Sequence, residues 1–325
     1  MAKISIFTPC YNEEENVVAL YEAVKQEMEK MPQYEYEHIF SENASTDKTA
    51  DLLRELAAKD PHVKVIINNR NFGPARSGAF GFFHCTGDAN ICLACDFQDP
   101  PEYLPQFIHL WEEGYKVVWG RKTESKEGGI MKFCRKLFYE IVKKFSDIPQ
   151  YDQVTGFGLY DKEVLDNMRC LNDPFPSFRH LVADFGYEVG FVEFVQPERR
   201  AGKSSYNFFS YLKMAVQMLI TTSTAPLKIA TFLGFCMSGI CFVVGLIYLL
   251  MKLIFWNSFS MGMAPIVIGL FFLGSVQLLF IGVLGEYIGE ILNRVTRRPL
   301  VVAKEKINMD EEQENMDKDL ISNRW

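Results

Sequence analysis

The sequence predicts an α/β protein: a mostly parallel sheet covered by helices on both faces, followed by a two-helix transmembrane hairpin. Three observations carry this. Between Lys3 and Gly120, short β-branched runs alternate with stretches of helical spacing, the pattern of a parallel sheet. Polar clusters follow the first, second and fourth runs, at the strand ends where such sheets bind ligands. Near the other end of the chain lie two long uncharged apolar runs, each long enough to cross a bilayer as a helix.

Lys3 to Pro9 (KISIFTP) reads as the first strand, and Glu13 to Lys30 has helical spacing. Tyr36 to Ser41 is the second strand and Thr46 to Lys59 the second helix. His62 to Asn68 (HVKVIIN), Ile91 to Asp96 and Lys116 to Gly120 supply three more strands, with helical stretches between them. In Asn207 to Thr224, the apolar positions Phe208, Phe209, Tyr211, Leu212, Met214, Ala215, Met218 and Leu219 recur at helical spacing. That reads as an amphipathic helix in the membrane interface, with packing against the soluble domain as the competing account. Ile229 to Met251 then carries no charge, and after Lys252 a second uncharged run continues to Gly285. Only a helix satisfies its own backbone in hydrocarbon, so two spans, 229–251 and 264–285, are expected. The domains are therefore 1–206, soluble and cytosolic; 207–227, interfacial; 228–290, membrane-spanning; and 291–325, a cytosolic tail. From Asp310 (DEEQENMDKD) that tail is acidic, without apolar periodicity, and is expected to be partly disordered.

Basic residues set the orientation. Lys203, Lys213 and Lys228 precede the first span; Arg294, Arg297, Arg298, Lys304 and Lys306 follow the second; only Lys252 lies between. The positive-inside bias puts both termini in the cytoplasm of an integral inner- or plasma-membrane protein. Met1 to Pro9 reads as a strand and not as a signal segment. A chain of 325 residues with net charge −7 accommodates one sizeable soluble domain and argues against nucleic acid as a partner. Its eight cysteines are scattered. Cys92-x-x-Cys95 sits in a strand-like run without a second pair at zinc spacing, so a cytosolic domain is expected to keep these thiols reduced.

The chemistry-bearing residues fall into three clusters. Thr8-Pro9-Cys10-Tyr11-Asn12-Glu13-Glu14 can wall a flat base, or simply start a helix with Asn12 as cap and acids on the dipole. In Glu42-Asn43-Ala44-Ser45-Thr46-Asp47-Lys48-Thr49, Ser45 or Thr46 can likewise be a cap. The third cluster is Ala94-Cys95-Asp96-Phe97-Gln98-Asp99-Pro100-Pro101. Asp96 and Gln98, two apart on an extended segment, offer oxygen donors to one Mg²⁺ or Mn²⁺ ion shared with substrate phosphates. Asp99 before two prolines reads as an N-cap. No phosphate-binding glycine motif stands at a strand-to-helix turn, which argues against a P-loop or dinucleotide domain.

Pro9-x-Tyr11-Asn12-Glu13, the Glu42 to Thr49 run, Arg70-Asn71-Phe72-Gly73, Asp96 to Pro101 and Arg199 to Tyr206 occur in that order. With the two spans and Gly285-Glu286-Tyr287, this set resembles family 2 glycosyltransferases, in particular the polyprenyl-phosphate branch. The resemblance covers nearly the whole chain. It implies a glycosyltransferase-A, Rossmann-like domain, a nucleotide-sugar donor such as UDP-glucose or UDP-GlcNAc, Mg²⁺ or Mn²⁺, and a polyprenyl (undecaprenyl) phosphate acceptor in cell-envelope biogenesis. By position, it implies that Pro9, Tyr11, Glu13, Glu42, Asn71, Gly73 and Asp96 bind the nucleotide-sugar and that Asp96 and Gln98 hold the metal. Arg199, Arg200, Gly202, Lys203, Ser204 and Tyr206 would form a basic loop over phosphate, with charges that suit it. A basic surface turn beside a membrane is the plainer account of that loop.

The chain departs from the family where two aspartates are replaced by Glu42-Asn43 and a third by Ala94; metal affinity and donor choice are what these departures touch. Transfer would invert the anomeric carbon, with Arg199 neutralising the leaving diphosphate and Asp152 as the carboxylate best placed to assist. Asp152 precedes Thr155-Gly156-Phe157-Gly158-Leu159, where the family's arginine is Gly158. Asp152 capping a turn is the alternative. A processive polysaccharide synthase would need more spans and a Q-x-x-R-W motif, and a non-enzymatic scaffold that retains the fold is the third reading. Span glycines (Gly234, Gly239, Gly245, Gly269, Gly274, Gly282) permit close helix packing and a homo-oligomer. The identity of the sugar is not legible.

Overall fold

The computed structural model describes residues 1–123, 151, 153–171, 173, 176–197, 225–254, 263–296, 299–311 and 313–316. Two compact units make up the chain. One comprises 1–132, 148–205 and 296–325; the other comprises 133–147 and 206–295.

In the first unit, β1 (Lys3–Cys10), α1 (Val17–Glu29), β2 (Glu35–Glu42), α2 (Thr49–Lys59), β3 (Val63–Asn68), α3 (Pro74–Phe82) and β4 (Ala89–Cys92) alternate as expected. A 3₁₀ turn at Pro101–Tyr103, α4 (Leu104–Glu112) and β5 (Val117–Lys122) follow. Then come β6 (Val154–Asp161), α5 (Lys162–Cys170), α6 (Phe178–Phe185) and β7 (Val189–Phe194). Among the described residues the sheet has eight strands in the order β7-β5-β6-β4-β1-β2-β3-β8, the last being β8 (Ala303–Ile307). Strand β1 is parallel to β2 and β4, β2 to β3, and β5 to β7; β6 and β8 run antiparallel to their neighbours.

Strand alternation sends side chains into two cores. Ile4, Ile6, Val65 and Ile67 join Leu20, Val24, Leu53 and Phe107 on one face. Phe7, Ile39 and Ile66 join Phe80, Phe82, Val164 and Val182 on the other. Helix α3 lies so close to the sheet that a Cβ at Gly81 would fall 2.4 Å from the Phe7 ring and 2.7 Å from Ser41 Cβ.

Two helices start later than their spacing indicated, at Val17 and Thr49 instead of Glu13 and Thr46. Asn12 does not cap α1; its Oδ1 accepts from the amide of Thr46 in the neighbouring loop at 2.8 Å. Asp47, not Ser45 or Thr46, accepts the Thr49 amide at the start of α2. Strand β4 ends at Cys92, so Asp96 belongs to a loop.

The tail adds a strand that its sequence did not suggest. Residues 303–307 form β8 along β3. Asn308 donates to Ala57 O and Val63 O, and Asp310 pairs with Lys64. Gln313, fully buried, donates to the His84 carbonyl at 2.8 Å and accepts from Lys64 Nζ at 2.9 Å. These polar side chains are held by a buried charge cluster, which apolar periodicity does not register. Residues 317–325 lie outside the described set.

That cluster centres on Glu37 of β2. Its carboxylate lies 2.9 Å from both Lys3 Nζ and Lys64 Nζ and accepts from Ser5 and from the amide and hydroxyl of Thr86. Burial opposes its charge, but the two lysines and these donors hold the carboxyl down to about 2.

His38, fully buried one residue along, behaves oppositely. Its Nε2 lies 3.0 Å from Thr8 Oγ1 and its ring centroid 3.9 Å from that of Phe40. Burial holds its pKa down to about 3. The folded protein thus keeps His38 neutral, while the unfolded chain protonates near ~6.5. The stability it contributes is complete above that pH and is lost as pH falls toward 3. By pH 4.5 the loss amounts to about 3 kcal/mol. The midpoint of thermal unfolding should fall between pH 6.5 and 4.5, and His38→Gln should flatten that slope; an equally steep profile in the variant would assign the effect to other groups.

The second unit contains α7 (Ala225–Ile254) and α8 (Met263–Val295). Both predicted spans are therefore helical. Within α8, Phe272–Leu292 is long and apolar enough to cross a membrane, with mean hydropathy 1.5 and none of it buried. Ala230–Cys241 in α7 is a shorter apolar stretch.

Candidate active site

Because β1, β2, β3 and β4 are parallel, the loops that follow them share one edge of the sheet. Cys10 pairs with Glu42, and Glu42 with Ile67, so three strands end level. The Asn43 amide donates to Cys10 O and the Leu93 amide to Phe7 O, each at 3.0 Å. Three of the four loops contain a non-glycine residue in the left-handed region: Asn12 (φ 55°), Ala44 (φ 58°) and Phe97 (φ 62°). Such backbone persists only where its surroundings over-determine it, which occurs most often at functional sites.

The first two loops are laced together. Asn12 N donates to Ser45 Oγ and Glu13 N to Thr49 Oγ1, both at 2.9 Å. Glu14 N donates to Asp47 Oδ2 at 3.2 Å, and Lys48 N returns a bond to Glu14 Oε2 at 3.0 Å. On this frame Pro9 is half-buried opposite Ser41, and Tyr11 is 42% exposed at the rim. Glu13 Oε2 accepts from Asn16 Nδ2 at 2.6 Å. Glu42 is buried, its two oxygens accepting the amides of Ala44 and Ser45. Its carboxylate therefore shapes the loop as well as facing the edge.

The third loop is joined to the second by side-chain amides. Asn43 Oδ1 accepts from Asn68 Nδ2 (3.1 Å) and from the Phe72 amide (3.0 Å), while its Nδ2 donates to Asn71 Oδ1 at 3.1 Å. Asn71 Oδ1 also accepts the Gly73 amide at 2.8 Å. Asn68 donates to Ser77 Oγ at 2.8 Å. Gly73 adopts φ 85° before α3 with open space where a Cβ would sit, so its backbone angle, not room, requires glycine. The signal for Asn43 was present in the Glu42 to Thr49 run but was assigned to its neighbours.

Beyond β4, Asp96 is buried and accepts the Gln98 amide on Oδ1 at 3.1 Å. The segment is not extended as expected: Phe97 turns left-handed and the carboxylate folds over the turn. Asp96 and Gln98 thus stand on one tight turn. Asp99 is not an N-cap but reaches back to the Ala94 amide at 2.9 Å. Burial pushes its carboxyl up to about 6, and Asp96 adds to the rise while the Ala94 amide and Lys122 oppose it.

A carboxylate oxygen and an amide oxygen are hard donors that suit Mg²⁺ or Mn²⁺ when substrate phosphates complete the shell. Among the described residues no group of three or more His, Cys, Asp or Glu could hold a metal. One carboxylate and one amide oxygen would leave most of an octahedral shell to be filled from elsewhere.

Strands β4 and β5 are both antiparallel to β6, so the end of β5 meets the same edge. There Arg121, absent from the expected site, lays its guanidinium 3.7 Å over the ring of Phe191. Its signal was a basic doublet, Arg121-Lys122, closing an apolar strand. Gly158 is explained here too. A Cβ on it would fall 2.7 Å from Trp119 Cδ1 and 3.2 Å from Val118 O, so the Trp119 indole fills the space a larger residue needs. Asp152, Arg199, Arg200, Gly202, Lys203, Ser204 and Tyr206, with the interfacial helix from Asn207, lie outside the described residues.

A mostly parallel sheet with one antiparallel strand inside it, β6, another at its edge, β8, and an acidic turn beyond the fourth strand has the architecture of a glycosyltransferase-A domain. The chain belongs to glycosyl transferase family 2, whose model matches residues 5–169. It is 35% identical to the uncharacterized glycosyltransferase YkcC of Bacillus subtilis (strain 168), over 94% of each chain. It is 32% identical to the prophage bactoprenol glucosyl transferase homolog of Escherichia coli (strain K12), over 93% of this chain and 98% of that one. Among solved structures, S. aureus TarS 1–349 aligns with a TM-score of 0.43 at 15% identity, over 68% of this chain and 66% of that one.

Proposed function

We propose that this protein transfers a hexose from a UDP-sugar, such as UDP-glucose or UDP-GlcNAc, to undecaprenyl phosphate or a related polyprenyl phosphate, with inversion at the anomeric carbon. The observation that carries this is the near-complete match, 93% of this chain, to a bactoprenol glucosyl transferase homolog. A partial match would leave the acceptor open. This one runs through both apolar helices as well as the site. The same reading makes α7 and α8 a membrane hairpin, with the catalytic unit and both termini on the cytoplasmic side.

In this reading Pro9, Tyr11, Glu13 and Glu42 flank the nucleoside, while Asn71 and Gly73 line the donor on the other side. Asp96 and Gln98 would hold Mg²⁺ or Mn²⁺ against the diphosphate. The ion supplies Lewis-acid neutralisation of the leaving group. The chain contributes alignment. Its laced loops fix the donor so that a lipid phosphate oxygen approaches the anomeric carbon opposite the diphosphate. The phosphate is already ionised near neutral pH, so little general-base help is required. The basic charges of Arg199 and its neighbours would suit phosphate, and Asp152 would be the carboxylate that assists.

Arg121 serves the acceptor phosphate in this scheme, its fork held flat by Phe191. Arg121→Ala should raise KM for the lipid phosphate about tenfold to a hundredfold, the range of a lost charge-assisted hydrogen bond, with KM for the donor unchanged. Equal change in both constants would argue against an acceptor role.

The test is transfer of labelled sugar from a panel of UDP- and GDP-sugars to undecaprenyl phosphate, by full-length protein with and without Mg²⁺ or Mn²⁺. Metal-dependent labelling of the lipid names the sugar. Folded protein that labels no lipid from any donor would turn the assignment toward a scaffold that kept the fold.

A further inference from the structure

We infer that the segment following α8 supports the donor site, and that Arg76 is a positioning residue for the transfer reaction. The inference rests on the donor-site reading of Asn71 and Gly73.

The loop carrying those residues is held from two sides. On the inner side Asn43 and Asn68 bind it, as described. On the outer side the bonds come from residues more than two hundred positions away in the chain. Arg76, in the first turn of α3, donates from Nε to Leu300 O at 2.9 Å and from Nη2 to Pro299 O at 2.6 Å. The Asn69 amide donates to Val302 O at 3.0 Å. Leu300 and Val301 are each 4% exposed, in the same core cluster as Phe80 of α3 and Phe83 just beyond it. The ring of Phe72 lies between Arg70, at 4.0 Å, and Arg76, at 5.4 Å. The guanidinium thus pins the start of α3, immediately beyond Gly73, to the segment 299–302.

Two features separate this arrangement from a generic tail contact. A two-pronged bond from one guanidinium to successive carbonyls fixes direction as well as distance, which a lysine cannot reproduce. The remainder of the tail is anchored elsewhere: Arg54 of α2 binds Glu305 through Nε and Nη2, and Asn308 binds Ala57 O and Val63 O. Loss of Arg76 would therefore remove two of the three outer bonds, leaving that of the Asn69 amide, while β8 stays paired with β3.

The experiment uses full-length protein in detergent micelles. It measures UDP affinity by calorimetry in Mg²⁺, KM for donor and for lipid phosphate, and the unfolding midpoint. Arg76→Ala should weaken UDP binding about tenfold and raise donor KM by the same factor, as expected for lost anchoring hydrogen bonds. KM for the lipid phosphate should not move. Arg76→Lys should fall between. Arg54→Ala, which cuts the strap at its other anchor, should lower the unfolding midpoint and leave UDP affinity unchanged. Unaltered UDP affinity in Arg76→Ala, or equal weakening in Arg54→Ala, overturns the positioning role. Should Arg76→Ala fail to fold, Arg76→Lys decides: wild-type UDP affinity in that variant overturns it. Wild-type protein that binds no UDP refutes the donor reading itself, a result distinct from wild-type and variant binding equally.

Discussion

Asp96→Ala should cripple lipid glycosylation, lowering kcat about a hundredfold to a thousandfold while the protein stays folded. Asp96 is the buried carboxylate of the turn beyond β4. In the proposed reaction it is the principal anionic ligand for the ion on the leaving diphosphate. Groups that meet charge developing in the transition state are worth about 10²–10³ in rate when removed singly. The loss should exceed that of Gln98→Ala, whose neutral amide contributes no charge. Raising Mn²⁺ should restore part of the activity of Gln98→Ala and little of Asp96→Ala. An Asp96→Ala enzyme with near-normal kcat at saturating metal would remove the residue from the site.

The largest effect on stability is expected from Glu37→Ala. Two lysines, Ser5 and Thr86 converge on this carboxylate, and Gln313 lies 3.4 Å from it. Removing one partner of a buried ion pair costs about 3–5 kcal/mol because the other charge is left uncompensated. Here Lys64, 5% exposed, would keep the Asp310 carboxylate and the neutral Gln313 oxygen. At two to four degrees per kcal/mol for a domain of this size, the midpoint should fall by roughly ten degrees. The wild-type contribution has its own pH signature. Glu37 titrates near 2 when folded, below its ordinary value. Its stabilisation is therefore complete above about 4.5 and is lost as pH falls toward 2. Scanning calorimetry of wild type and Glu37→Ala at pH 7 and pH 3 tests both statements. Equal midpoints at pH 7 would show that Asp310 alone satisfies the lysines.

The central strands were legible because burial on both faces turns them into continuous apolar runs, as in Val63–Asn68. The two apolar helices were legible from absence of charge. What escaped has physical causes. β6 reads VTGFGLYD, whose glycines hide its periodicity although Gly158 is required by Trp119. β8 reads AKEKI, a half-exposed edge strand whose Glu305 and Lys306 are met by Arg54 and His84. Helix starts were placed too early because Asn12, Glu14, Ser45 and Asp47 spend their hydrogen bonds across loops, a tertiary arrangement that local capping rules do not foresee. The strand-end clusters at Pro9, Glu42 and Asp96 do share one edge. The amides of Asn43 and Asn68 and the cation of Arg121 became visible only once distant strands stood side by side.

The pairing of β8 with β3 also bears on how the protein is made. At typical synthesis rates of about 5–20 residues per second, the interval between translating Asn68 and Ala303 is on the order of ten to fifty seconds. Through that time the outer edge of β3 has no partner strand, and unpaired edges recruit other chains. Both apolar helices are translated within the same interval, so they emerge before the sheet can close. A nascent chain stalled between the two stages would combine an open β edge with exposed apolar helices. Chaperone occupancy, measured by crosslinking on arrested ribosomes, should accordingly stay high until β8 has left the exit tunnel.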